Sequence, residues 1–214
     1  LIPTGILGGS FNPAHRGHRG ISLLALRELA LDEVWWLVSP GNPLKSDDGM
    51  APFAARLASA RDIARHAPIR ATGIEARLGS RYTADTLRVL VRRYPHRRFV
   101  WLMGADNLAQ FHRWREWRTI ARTLPIAVIA RPGYDDDALR APAMGWLRRF
   151  VRPANLSARW TNWRPPAVVL LRSMPDPRSA TALRARDPDW HRAFAGRPAR
   201  DALTRRAITA APPR

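Results

Sequence analysis

The chain has no cysteine, which excludes a disulfide framework and thiolate metal sites and fits a reducing compartment. It has no run of about 18 or more uncharged apolar residues, so no segment reads as a membrane-spanning helix. The first residues lack the basic region and long apolar stretch of a signal peptide, and a soluble, cytoplasmic protein is the expectation. Acidic residues are scarce: 17 Asp and Glu stand against 36 Lys and Arg, a formal net charge of +19, and every basic residue except Lys45 is arginine. Such a field attracts polyanions, free nucleotides and nucleic acid alike, without choosing between them. Arg92, Arg93, Arg97 and Arg98 flank helix and strand ends, where a solvated face is the expectation. The 214 residues suffice for a sizeable core and read as one domain over 1–214, with a C-terminal helical subregion from about 172.

What is there begins with Gly5-Ile6-Leu7-Gly8-Gly9-Ser10-Phe11-Asn12-Pro13-Ala14-His15-Arg16-Gly17-His18, which compresses a strand end, a loop and a helix start into one stretch. Ile6 and Leu7 close a short apolar run, Gly8 and Gly9 are read as letting the backbone turn closely past a ligand, and Pro13 delays the helix. Ile21, Leu23, Leu24, Leu26 and Leu29 then recur at helical spacing, most of them on one stripe. A helix N-terminus favours an anion, and His15 and His18, three positions apart, can add ring donors to phosphate oxygens. Neither feature suffices alone, because many α/β proteins turn this way and a single His is often a satisfied polar residue.

Downstream, Glu33 to Val38 is a near-continuous apolar run, as in a parallel strand covered on both faces. Ser39 to Gly49 is dense in turn formers and emerges at the carboxyl end of that strand, which makes Lys45, with Asn42 nearby, a candidate ligand contact. Pro52 to His66 predicts a helix, Ile69 to Ile74 a weaker strand, and Thr83 the N-cap of a helix running on through Val91. Phe99 to Met103 is another buried strand; Asp106 and Asn107, just past it, could hold ribose hydroxyls or cap a helix. Phe111, Trp114 and Trp117 read either as a core stripe or, at Trp114, as a stacking surface. Ile126 to Ala130 and Ala167 to Leu171 complete six strands, a helix broken at Pro142 is expected over 135–150, and 152–166 has no clear pattern. The alternation predicts an α/β fold with a doubly wound, mostly parallel sheet. Finally Ser179 can cap a helix whose first turns carry Thr181 and Arg184, offering hydroxyl, N–H and guanidinium to one anion.

Gly-Gly-Ser-Phe-Asn-Pro followed by His-x-Gly-His resembles the signature of the HIGH-type nucleotidyltransferase superfamily. Tyr82-Thr83-Ala84-Asp85-Thr86-Leu87, Gly104-Ala105-Asp106-Asn107-Leu108 with Phe111 and Trp114, Arg131-Pro132-Gly133-Tyr134, and Ser179-Ala180-Thr181-Ala182-Leu183-Arg184 are similar to bacterial nicotinate-mononucleotide adenylyltransferases. The resemblance implies a Rossmann-like fold and transfer of the adenylyl group of ATP to nicotinate mononucleotide, with Mg2+ present, as a step of NAD biosynthesis. By the same resemblance Gly8, Gly9, Ser10 and Phe11 would line the ATP loop, and His15 and His18 would donate to the α-phosphate. Ser179, Thr181 and Arg184 would hold the remaining phosphates, Arg184 stabilising the leaving pyrophosphate. Asn42, Lys45, Thr83, Asp106, Asn107 and Trp114 would serve the acceptor nucleotide. From Asp187 to Arg214 the family's closing aromatic helix is not found, which leaves a homo-oligomeric interface there open.

Two rivals define the tests. A sibling adenylyltransferase of the phosphopantetheine type shares the fold but lacks the Tyr-Thr-x-Asp-Thr and Gly-x-Asp-x-Leu stretches. A basic nucleic-acid-binding module would explain the charge and the nine Trp but not the ordered phosphate motifs. A class I aminoacyl-tRNA synthetase would need a Lys-Met-Ser-Lys-Ser loop, which is absent.

Overall fold

The structure, a computed structural model, describes residues 1–41, 49–130, 139–172, 179–197 and 199–208. Asn42, Lys45 and the Arg131 to Tyr134 stretch lie outside them. Seven strands, β1 (Ile2–Gly9), β2 (Glu33–Val38), β3 (Ile69–Thr72), β4 (Arg97–Gly104), β5 (Ile126–Ala130), β6 (Val151–Arg152) and β7 (Val168–Arg172), make one sheet in the order β3-β2-β1-β4-β5-β7-β6. Every pairing in it is parallel.

Side chains alternate between two apolar layers, as the period of two requires. On one face Leu7, Trp36, Val100 and Ala127 pack against α1 (Arg16–Glu28) and α2 (Phe53–Ala64). On the other, Ile6, Trp35, Trp101 and Val128 pack against α3 (Ile74–Leu78), α4 (Thr83–Arg93), α5 (Ala105–Gln110), α6 (Trp117–Thr123) and α7 (Met144–Leu147). Both faces are covered, so β2 is buried along its whole length, Glu33 included. The chain runs outward from β1 through β2 to β3 and then returns to place β4 on the other side of β1. That reversal between β1 and β4 is the topological switch point at whose carboxyl edge such sheets bind ligands.

Several expectations are corrected. The unpatterned stretch 152–166 holds the edge strand β6 and a 3-10 segment, Ala154–Asn162, which crosses to the α1 face; there Trp160 is fully buried and donates Nε1–H to the Leu29 carbonyl at 2.8 Å. Leu23 points to solvent, 43% exposed, because α1 turns the small residues Ser22 and Ala25 to the sheet. Thr83 is the first helical residue rather than the cap; Tyr82 holds the extended cap position and no side chain caps it. Nor does Asp106 cap α5, whose cap position is Gly104; it lies exposed in the first turn, where a carboxylate suits the helix dipole. Arg97 is not a solvated residue: it donates to Thr4 Oγ1 at 2.8 Å and pairs with Glu33 at 2.6 Å. Burial pushes the Glu33 carboxyl up, yet hydrogen bonds from Arg70 and Trp35 and the charges of Arg97 and Arg70 hold it below its usual value.

The expected C-terminal helical subregion is helical only in part. After α8 (Ala180–Arg186) and a 3-10 turn, Trp190–Phe194, lying against α2, comes a small antiparallel hairpin, β8 (Ala199–Arg200) and β9 (Ala207–Ile208). Asp201 anchors it. One carboxylate oxygen accepts from Thr72 Oγ1 and Gly73 N, both at 2.8 Å, the other from Leu203 N and Thr204 N, both at 2.9 Å. These bonds also explain why β3 stops at Thr72, two residues short of the apolar run.

Candidate active site

The loop leaving β1 turns at a different residue from the one its glycines imply. Neither Gly8 nor Gly9 has a positive φ; the left-handed residue is Phe11, at φ +48°. Its ring is buried and holds the turn by stacking on Trp36, centroids 5.0 Å apart, with His18 at 4.8 Å on another side. Gly8 is required by packing instead: a Cβ there would stand 2.6 Å from the Trp101 indole.

The two histidines cap their own helix. Gly17 N–H donates to His15 Nδ1 at 3.1 Å, and His15 N–H donates to His18 Nδ1 at 3.2 Å, a reciprocal capping box built from imidazoles. Because each Nδ1 is used as an acceptor, the proton of each neutral ring belongs on Nε2. The rings lie 3.9 Å apart at the start of α1. His15 is buried and His18 half-buried. Trp36 Nε1–H donates to Ser22 Oγ at 2.8 Å and Ser22 Oγ–H to the His18 carbonyl at 2.9 Å, fixing this turn to β2.

The fold brings the C-terminal motif to the same place. Ser179 caps α8 as expected, accepting from Ala182 N at 3.1 Å. Arg184 donates Nη1–H to the Asn12 carbonyl at 2.6 Å and Nη2–H to Thr181 Oγ1 at 3.3 Å. Asn12 in turn donates Nδ2–H to the Gly49 carbonyl at 2.9 Å and accepts from Ala51 N at 3.2 Å. Ser10, His15, His18, Thr181 and Arg184 therefore form one cluster at the switch point. It can offer ring N–H, hydroxyl and guanidinium donors to a polyphosphate.

The acceptor-side candidates gather on the opposite face of the sheet. Thr83 is half-buried at the start of α4, and Trp114 is half-buried with its ring edge-on to Trp101 at 6.1 Å and to Phe111 at 5.4 Å. Arg115 lies over the Tyr82 ring at 4.5 Å, and Arg88 bridges Asp85 and Glu116, so the Trp114 loop is tied to the first turn of α4. Asp106 and Asn107 open α5 directly after β4.

Two residues near the site escape a reading by motif. Arg56 is 1% exposed and donates to four carbonyls, Ser10 at 2.8 Å, Ser39 at 2.6 Å, Pro40 at 3.1 Å and Ala51 at 3.0 Å. The available signal was an arginine on the apolar stripe of α2, between Phe53, Leu57 and Ala60. Glu75 is buried under the Tyr82-Thr83 turn, accepting from Thr86 Oγ1 at 3.1 Å while Thr86 also meets Ser80 Oγ at 3.0 Å. Burial pushes its carboxyl up to about 7, against the opposing hydrogen bond from Thr86.

A wholly parallel doubly wound sheet with hydrogen-bonding side chains gathered at its switch point is the architecture of the nucleotide-binding α/β proteins. The model of the cytidylyltransferase-like family matches residues 6–186, which takes in the His15 to His18 and Ser179 to Arg184 stretches. The probable nicotinate-nucleotide adenylyltransferase of Erythrobacter litoralis is 63% identical over 207 residues, 97% of this chain and 94% of that protein. That of Parvibaculum lavamentivorans is 52% identical over 185 residues, 86% and 92% of the two chains. The chain belongs to the cytidylyltransferase-like family and, within it, to the nicotinate-nucleotide adenylyltransferases. In fold it is similar to the Plasmodium falciparum nicotinic acid mononucleotide adenylyltransferase complexed with NaAD, with a TM-score of 0.62 and 17% identity over 86% of this chain and 83% of that one.

Proposed function

We propose that the protein joins ATP and nicotinate mononucleotide: a phosphate oxygen of the mononucleotide attacks the α-phosphorus of ATP in line, the bond to the bridging β-oxygen breaks, and pyrophosphate leaves with deamido-NAD as product. The observation that carries the reading is the contact of Arg184 with Asn12, which gathers the His-x-x-His turn and the Ser179 to Arg184 helix around one space. On this reading no side chain becomes adenylylated, and the protein contributes alignment and charge stabilisation. The Nε2–H groups of His15 and His18 face the α-phosphate, where negative charge builds. Gly8, Gly9, Ser10 and Phe11 line the triphosphate, while Ser179, Thr181 and Arg184 hold its β- and γ-groups. Thr83 and Trp114 take the pyridine ring, and Asp106 and Asn107 the ribose and phosphate of the acceptor, together with Asn42 and Lys45.

Among the described residues no cluster of three or more His, Asp or Glu side chains could hold a metal ion. On this reading the ligands of Mg2+ are water and triphosphate oxygens, the ion's usual mode with nucleotides. No helix among the described residues is long and apolar enough to cross a membrane.

The test is pyrophosphate release from MgATP with nicotinate mononucleotide, nicotinamide mononucleotide and phosphopantetheine in parallel. Release that depends on nicotinate mononucleotide supports the reading. Release with phosphopantetheine alone assigns the sibling activity, and tight, salt-steep binding of mixed DNA or RNA with no release from any acceptor returns the basic nucleic-acid module.

A further inference from the structure

Arg56 sits beneath the residues that leave β1 and β2, and carbonyl groups of Ser10, Ser39 and Pro40 are among its partners. The peptides Ser10-Phe11 and Pro40-Gly41 are both trans, so in each the N–H points away from the carbonyl that Arg56 holds. Neither Phe11 N–H nor Gly41 N–H has a hydrogen-bond partner among the described residues. Two unused amide donors therefore face away from a buried cation, one at the carboxyl end of each of two adjacent parallel strands. Phe11 adopts its left-handed backbone in the same peptide, and Ser39 N donates to the Gly9 carbonyl at 2.9 Å, locking the two loops together.

We propose that Arg56 is a positioning residue for adenylyl transfer: by gripping the Ser10 and Pro40 carbonyls it aims the Phe11 and Gly41 N–H groups outward as donors to the anionic groups of the two nucleotides. This rests on the adenylyl-transfer reading for the identity of those anions, and the amide geometry stands without it. A lysine at 56 keeps the charge but has neither the width nor the planar fork to hold carbonyls on both loops at once. The peptides are then free to rotate, and the donors lose their alignment with the reacting phosphates.

The test follows the backbone amide resonances of Phe11 and Gly41 in the 15N-labelled wild-type protein during titration with ATP and then nicotinate mononucleotide, beside steady-state kinetics of Arg56→Lys. Trp160→Phe is the control, since it loses one buried hydrogen bond far from the site and reports what lost stability alone does. Expected are downfield shifts of both amides in the wild type, loss of those shifts in Arg56→Lys, and a fall in its kcat/KM of about 10- to 100-fold, beyond that of the control at matched melting temperature. Wild-type amides that do not move at saturation overturn the proposal without any variant, as does an Arg56→Lys enzyme no slower than the control. A wild type that releases no pyrophosphate yet shows the ATP-dependent Phe11 shift fails the adenylyl-transfer reading alone.

Discussion

Arg184 and Asn12, 172 positions apart in sequence, meet through a 2.6 Å hydrogen bond from the guanidinium to the asparagine backbone carbonyl. The arginine is thereby oriented before any nucleotide arrives, with Thr181 Oγ1 at 3.3 Å as a second guide. On the proposed function, Arg184→Lys keeps the charge but cannot hold the carbonyl and two phosphate oxygens together. Its kcat/KM for ATP is expected to fall by about 1.5–3 kcal/mol of transition-state stabilisation. Wild-type kinetics in this variant would mean that charge alone matters.

On the proposed function His18 has two jobs that substitution can separate, its Nδ1 accepting the His15 N–H and its other ring nitrogen serving the α-phosphate. Glutamine at this third helical position can still reach back to the cap N–H, whereas alanine cannot. His18→Ala is expected to lose about 2.7–4 kcal/mol of catalysis, mostly in kcat, together with some thermal stability. His18→Gln should recover the melting temperature and not the turnover; recovery of both would reduce His18 to a helix cap.

Trp114 is half-buried and edge-on to Trp101 and Phe111, a placement that leaves it between core and cleft. If its free face carries the pyridine ring, Trp114→Ala raises the KM for nicotinate mononucleotide by about 0.5–2 kcal/mol and leaves that for ATP nearly unchanged. Parallel losses for both substrates with a large drop in melting temperature would assign it to the core instead.

Glu75 supplies a pH dependence whose sign is fixed by burial. Its carboxyl titrates at about 7 in the folded chain against 4.5 for the ordinary group, so the folded state keeps a proton that the unfolded chain releases. The stabilisation is complete below the unfolded value and is lost as pH rises through about 7. Melting temperatures of wild type and Glu75→Gln, measured from about pH 5 to pH 8, should diverge as the wild type falls and the glutamine variant does not. A constant difference across that range would place the proton elsewhere.

Much of this was legible in the sequence because periodicity and motif spacing are local. Apolar runs located β2 and β5 to the residue, and the His-x-Gly-His and Ser179 to Arg184 stretches marked two segments that the fold brings together through Arg184 and Asn12. What escaped depends on contacts between distant segments. The two-residue strand β6 has no period to detect and exists because β7 offers it an edge. Gly8 is read locally as a turn residue, but its cause is the Trp101 ring from the neighbouring strand. Asp201 looks like an ordinary surface charge, and Arg56 like a misplaced one on an apolar stripe, until the amides and carbonyls they bind are brought to them by the fold.

The Asp201 hairpin has one more effect, on what the sheet can add to itself. β3 ends the sheet on one side, and an uncovered outer strand is a template for another chain. Ala202 N–H, held beside Asp201, donates to the Ala71 carbonyl of β3 at 3.2 Å and so occupies that outer edge with the chain's own tail. At the far side β6 presents only Val151 and Arg152, too short a ladder to recruit a long strand. Among the described residues both margins of the sheet are therefore closed to edge-on growth, one by a pinned tail and the other by brevity.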